Sequence, residues 1–306
     1  MITKFATFSF CSLLLILAGA AVRAQQVADP HFNARVEEPA YTKNFPRVLF
    51  DEAHYNFHTA AGRYKPFADL IFSDGYQVVV NRKPFTKESL RMFKILVIAN
   101  ALGAEDMDED GADHAAFTEE EADEVRDWVR GGGSLLFIAN HGPFAAAAEG
   151  LAKRLGVNMS KGSSVDQAHS VTDSNNPAFI VYSRRNHLLG EHPITKGRND
   201  NERIDRVITF TGQSLKGPPE SEAFLKLADT AVDMVPPDNK EVSAAGRAQG
   251  IAFRLGKGRV VVLGEAGMLT AQLDGRDNKP FGMNVPGTDN KQLALNIMHW
   301  LSGILK

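Results

Sequence analysis

Cysteine is almost missing from this chain: Cys11 is the only one in 306 residues. Beyond it there is no thiol to form a disulfide, bind a metal as thiolate or act as a nucleophile. Basic runs are also missing, and the formal net charge is −3, so nothing gives the electrostatic footprint of a nucleic-acid binder. The sequence has no G-x-S-x-G elbow, P-loop or G-x-G-x-x-G fingerprint. "GKGRVV" and "GEAGML" contain glycines without the spacing that cradles phosphate. Serine-hydrolase, nucleotide-dependent and dinucleotide-dependent chemistry therefore lose their usual signatures.

What is present begins with an N-terminal apolar run. Lys4 precedes "FSFCSLLLILAGAAV", and Val22 and Ala24 supply small residues at −3 and −1 of a cleavage site. Residues 1–24 read as a secretory signal peptide, with no membrane span left after cleavage and a periplasmic or extracellular destination. Residues 25–45 are polar and aperiodic and read as a tether. Residues 46–306 are long enough for one α/β domain with a full core.

Within that domain, apolar runs alternate with helical patterns. Strands are expected at "RVLF" (47–50), "YQVVV" (76–80), "KILVIANA" (94–101) and "SLLFIAN" (134–140), each followed by a helix. Thr118 and Glu121 form a capping box ahead of the stripe Val125, Trp128 and Val129. An alanine-rich helix runs from Pro143 to Gly156. The middle of the chain is less regular, with strands at "FIVYS", "RVITFTG" and "IAFRLG". "GRVVVLGEAG" makes a last core strand, and a closing helix begins at Asn290. Wholly apolar strands in β-α repeats indicate a mostly parallel sheet covered by helices on both faces.

Ligands of such sheets gather at the carboxyl ends of the strands. That rule selects Asp51, Glu52, His54, Asn56 and His58 after the first strand, Asn100 after the third, Asn140 and His141 after the fourth, and Glu265 after the last. His54 and His58 are four apart and share a face at helical and at strand period alike. With a neighbouring carboxylate they form a candidate divalent-metal site, zinc by preference, able to activate water. Without metal, Glu52 with His54 or His141 is the candidate acid/base pair, Glu52 and His141 by preference. The bland alternative makes the cluster a polar turn of caps and hydrogen-bonded histidines. "DMDEDG" places Asp106, Asp108 and Asp110 at the alternate positions of a calcium loop, but its twelfth position is Phe117 instead of a glutamate.

The succession "VLFDEAHYNFHTAAGRYKPFADLIFSDGY", "ILVIANAL", "AAFTEEEADEVRDWVRGGGSLLFIANHGPF", "HPITKG", "VITFTGQSL" and "GRVVVLGEAGMLTAQL" resembles secreted bacterial proteins of unknown function in the class I glutamine amidotransferase-like superfamily. The resemblance covers Pro46 to Lys306 and implies a flavodoxin-like sheet. It also implies that the turn after "LLFIAN" occupies the place of the amidotransferase cysteine. Here that turn reads Asn140-His141-Gly142-Pro143, so glutamine hydrolysis through a thioester is excluded. Cysteine-less members of the superfamily include trehalose-utilisation-type proteins, which makes a sugar-related ligand the analogy to test.

Two functional expectations follow. One is an exported hydrolase of a small polar or carbohydrate-like substrate, with Glu52 or His141 as base. The other is a non-catalytic ligand-binding or accessory domain that uses the same rim, Asp51, Asn56, Asn100, Asn140 and Glu265 holding the ligand. A third, structural reading buries the rim beneath "RRNHLLGEHP" (184–193).

Overall fold

The computed structural model describes residues 26–306 except 173, 175 and 275–277. The apolar run, Cys11 and the expected cleavage site fall outside the described residues. In chain order the principal elements are β1 (Arg47–Asp51), α1 (Lys65–Ser73), β2 (Gln77–Asn81), β3 (Ile95–Ala99), α2 (Glu119–Gly131) and β4 (Ser134–Ile138). After them come β5 (Asn158–Met159), β6 (Leu215–Lys216), β7 (Glu222–Lys226), β8 (Ala248–Leu255), β9 (Gly258–Leu263) and α3 (Asn290–Ser302).

One nine-stranded sheet runs in the order β2-β1-β3-β4-β9-β8-β6-β5, with β7 also paired to β8. Every residue of β3 and β4 is buried, as expected of strands covered on both faces. Their side chains alternate between two cores. Val97, Ala99, Leu136 and Ile138 pack with α1 and α3 on one face. Leu96, Ile98, Leu135 and Phe137 pack with Ala122, Val125 and Val129 of α2 on the other.

The mostly parallel, flavodoxin-like expectation holds for half of this sheet. β2, β1, β3, β4 and β9 are parallel neighbours. β8 is antiparallel to β9, and β7, β6 and β5 continue antiparallel. The sheet is therefore mixed. The cause is local: β8 and β9 are separated by Gly256 and Lys257 alone, with Gly256 at φ 60°. A two-residue turn joins only antiparallel strands, whereas a parallel return needs a dozen residues or more.

Other expectations also shift. Val181–Ser183 and Arg206–Ile208, parts of the "FIVYS" and "RVITFTG" strands, pair with each other outside the large sheet. The alanine-rich helix is two short ones, Phe144–Ala147 and Glu149–Arg154, meeting at Ala148. The described part of the expected tether lies along the domain. Val27–Ala28 adds a strand to Ala271–Leu273, and Phe32, Val36 and Tyr41 pack on the core. Among the described residues no helix is long and apolar enough to cross a membrane.

Candidate functional site

The carboxyl ends of β3, β4 and β9 are tied together by side-chain amides. Asn100, at φ 51°, accepts the backbone N–H of Asn140 at 2.9 Å, and Asn140 accepts that of Ala266 at 2.7 Å. The Gln213 amide donates to the carbonyls of Ala139 and Asn140 at 2.8 and 3.1 Å, which binds the antiparallel half to the same rim. Above this floor opens a cavity of about 760 Å³, lined from the rim by His58, Asn100, Asn140, His141 and Glu265. Its upper wall comes from three excursions of the chain that bring Phe179, Phe210 and Phe281 together, the last two with ring centroids 4.1 Å apart. A cavity of this size, apolar with a few convergent polar groups, is typical of a small-molecule site.

Three residues of this lining each hold a buried polar atom with no hydrogen-bond partner: His58 Nδ1, Asn100 Nδ2 and Gln272 Oε1. Leaving a buried donor or acceptor unmet costs about 1–3 kcal/mol each. Native structures keep such groups where something else meets them.

Three titratable groups of the lining, His58, His141 and Glu265, are held neutral. Burial, with the nearby charge of Arg63, lowers the His58 imidazole to about 3. Burial also lowers His141, against the Gly142 carbonyl that accepts from its Nδ1–H at 3.1 Å and leaves Nε2 as the free acceptor. Glu265 is completely buried, and burial raises it to about 8 although the N–H groups of Gly267 and Met268 donate to its carboxyl oxygens.

The other residues of the sequence cluster stand elsewhere. The chain is neither helix nor strand between Asp51 and Thr59, and Tyr55 turns it at φ 46°. The shared face expected for His54 and His58 is therefore lost. His58 packs against Tyr64 beside the cavity, while His54 lies between Phe85 and Phe117 and is off the lining. His54 Nδ1 meets Asp51 at 2.8 Å and Nε2 meets Glu121 at 3.0 Å, so both ring nitrogens are engaged. Asp51 also accepts from Asn81, and Asn56 accepts the His54 backbone N–H. Glu52 accepts from the Ala60 N–H and the Arg82 guanidinium, off the cavity. Asp106, Asp108 and Asp110 lie in an exposed turn. Among the described residues no three His, Cys, Asp or Glu side chains are grouped to hold a metal ion. The segment 184–193 does not line the cavity either; Val171, Ser174, Asn176 and Phe179 contribute there instead.

Sequence reasoning missed Gln272, Arg63 and the aromatic wall, all of which come from loops or short strands outside the large sheet. It also missed Glu121 as a partner for His54, having read it only as a helix cap. The one available signal for Arg63 was its place directly before α1, on the loop that leaves β1.

No protein-family model matches this chain, and no curated protein sequence matches it. Solved structures do. The mmIFT52 N-terminal domain superposes with a TM-score of 0.60 at 15% identity, over 83% of this chain and 97% of that one. A ThuA-like protein from Parabacteroides merdae gives a TM-score of 0.44 at 12% identity, over 85% and 90%. A ThuA-like protein from Bacteroides uniformis gives 0.40 at 14%, over 89% and 95%. At these identities the first of them shows a shared fold and nothing of the chemistry.

Proposed function

We propose that the cavity binds a small, hydroxyl-rich polar ligand of the carbohydrate kind, in an exported protein of glutamine amidotransferase-like descent that lacks amidotransferase activity. The descent and the export rest on the sequence resemblance and on residues 1–24. One observation carries the ligand reading: the polar side chains of His58, Asn100, Asn140, His141 and Gln272 converge on one cavity. Amide and imidazole side chains both donate and accept, which suits hydroxyl groups that do the same. The aromatic wall suits the apolar face of a sugar ring.

Hydrolysis of that ligand is the second reading, favoured by His141 and Glu265 on the same lining. In it His141, neutral at pH 7, takes a proton from water through Nε2. Glu265, still largely protonated there, gives one to the leaving oxygen. Glu52 has no part in this scheme, because it lies off the cavity.

The test is calorimetric titration of the purified protein with neutral and acidic mono- and disaccharides, repeated on Gln272→Leu. A ligand of the wild type is expected to bind the variant about three- to tenfold more weakly, the worth of one hydrogen bond. A panel that leaves the wild type untouched, or equal binding to both proteins, overturns the reading. Turnover of nitrophenyl glycosides that is lost in His141→Ala and Glu265→Gln would add hydrolysis to binding.

A further inference from the structure

We infer that the ligand of this cavity carries a carboxylate, received by the guanidinium of Arg63, and so belongs to the sugar acids. The inference rests on the cavity being a ligand site. Arg63 is half-buried on the lining. Its guanidinium donates to the Gln26 carbonyl at 3.2 Å and lies 4.3 Å from the centre of the Phe57 ring. Among the described residues no carboxylate stands within ion-pair distance of it.

Desolvating a guanidinium without an anion is unfavourable, and its planar fork of donors matches a carboxylate. Among the described residues of the lining, the remaining titratable groups leave that charge unbalanced. His58 is neutral, and Glu265 is mostly protonated at pH 7. Asp274 and Lys279 offset each other formally, so the described residues of the lining are left with one positive charge. One carboxylate neutralises it. A phosphate ester would bring about −1.5 to −2 and overshoot. With the carboxylate on Arg63, the rest of the molecule extends into the cavity that His58, Asn140 and His141 line.

The experiment uses matched probes on the full chain: glucose against glucuronate, galactose against galacturonate, and glucose 6-phosphate. Titrations are run on the wild type, Arg63→Gln and Arg63→Lys, with melting curves to show that the variants fold. The acid of at least one pair is expected to bind the wild type about tenfold or more tightly than its neutral partner, as for a charge-assisted hydrogen bond. Arg63→Gln should erase that preference and Arg63→Lys retain part of it. Equal binding of acid and neutral sugar overturns the carboxylate while leaving the cavity reading intact. A preference that survives Arg63→Gln overturns the role of Arg63, and tighter binding of glucose 6-phosphate than of glucuronate overturns the choice of anion. If no probe binds, the cavity reading itself fails and takes this inference with it.

Discussion

His54 Nε2 lies 3.0 Å from Glu121 Oε1, joining the turn after β1 to the first turn of α2 across 67 residues. Burial opposes a charge on this imidazole, but the hydrogen bonds and charges of Asp51 and Glu121 outweigh it and raise His54 above 6.5. Burial likewise opposes the charge on Glu121, and its bonds to His54 and to backbone N–H groups outweigh that and lower it below 4.5. The His54 contribution to stability is thus complete below 6.5 and is lost as pH rises through its folded value. The Glu121 contribution is complete above 4.5 and is lost as pH falls through its own. His54→Gln should cost about 3–5 kcal/mol near pH 6, the range for breaking a buried ion pair, and less at pH 8.5. Urea denaturation of both proteins across that range gives the difference. A difference independent of pH would mean that the pair is not ionic.

Glu265 behaves in the opposite sense to an ordinary carboxylate. Its folded value, about 8, lies above its usual 4.5, so the folded state holds the proton more tightly. Stability from this residue is complete below 4.5 and declines as pH rises through about 8. Glu265→Gln cannot ionise. Relative to the wild type it should gain stability steadily between pH 5 and pH 9, as measured by denaturant midpoints. A constant offset would show that the carboxyl keeps an ordinary affinity for its proton.

Gly267 is where a single methyl group should disturb the site. A Cβ there would stand 2.5 Å from the Phe281 ring and 2.7 Å from Glu265 Oε1. Both neighbours line the cavity, so Gly267→Ala should cost about 1–3 kcal/mol in stability and weaken ligand binding as well. Thermal melting and titration of the same variant check the two effects. Wild-type affinity in Gly267→Ala would mean that this wall yields without consequence.

Metal content distinguishes the two histidines of the opening cluster. His54 is held between two carboxylates, and His58 faces a different environment. Zinc measured by plasma mass spectrometry, on protein purified without chelator or affinity histidines, should be the same in the wild type and in His54→Ala/His58→Ala. Stoichiometric zinc lost in the double variant would require a rearranged turn at Tyr55.

The parallel half of the sheet was legible because a strand buried on both faces must be apolar throughout, as "ILVIA" and "SLLFI" are. The direction of a strand has no such mark. Only the Gly256-Lys257 spacing between two apolar runs announced the hairpin, and reading those runs separately concealed it. The site shows the same division. Asn100, Asn140, His141 and Glu265 followed from the rule that ligands gather at strand ends, while the bond from His54 to Glu121 depends on a tertiary contact that no local pattern records. The equal spacing of His54 and His58 promised a common face only for regular backbone. The turn at Tyr55 removes that premise.

The cavity has two kinds of wall. Its floor is fixed by Asn100, Asn140 and Gln213, whose amides tie β3, β4 and β9 to one another. The rings of Phe179, Phe210 and Phe281 stand on segments outside the strands of the large sheet. Exchanging those rings would therefore reshape what the cavity admits while the groups beneath keep their positions, so selectivity and scaffold can vary independently in this fold.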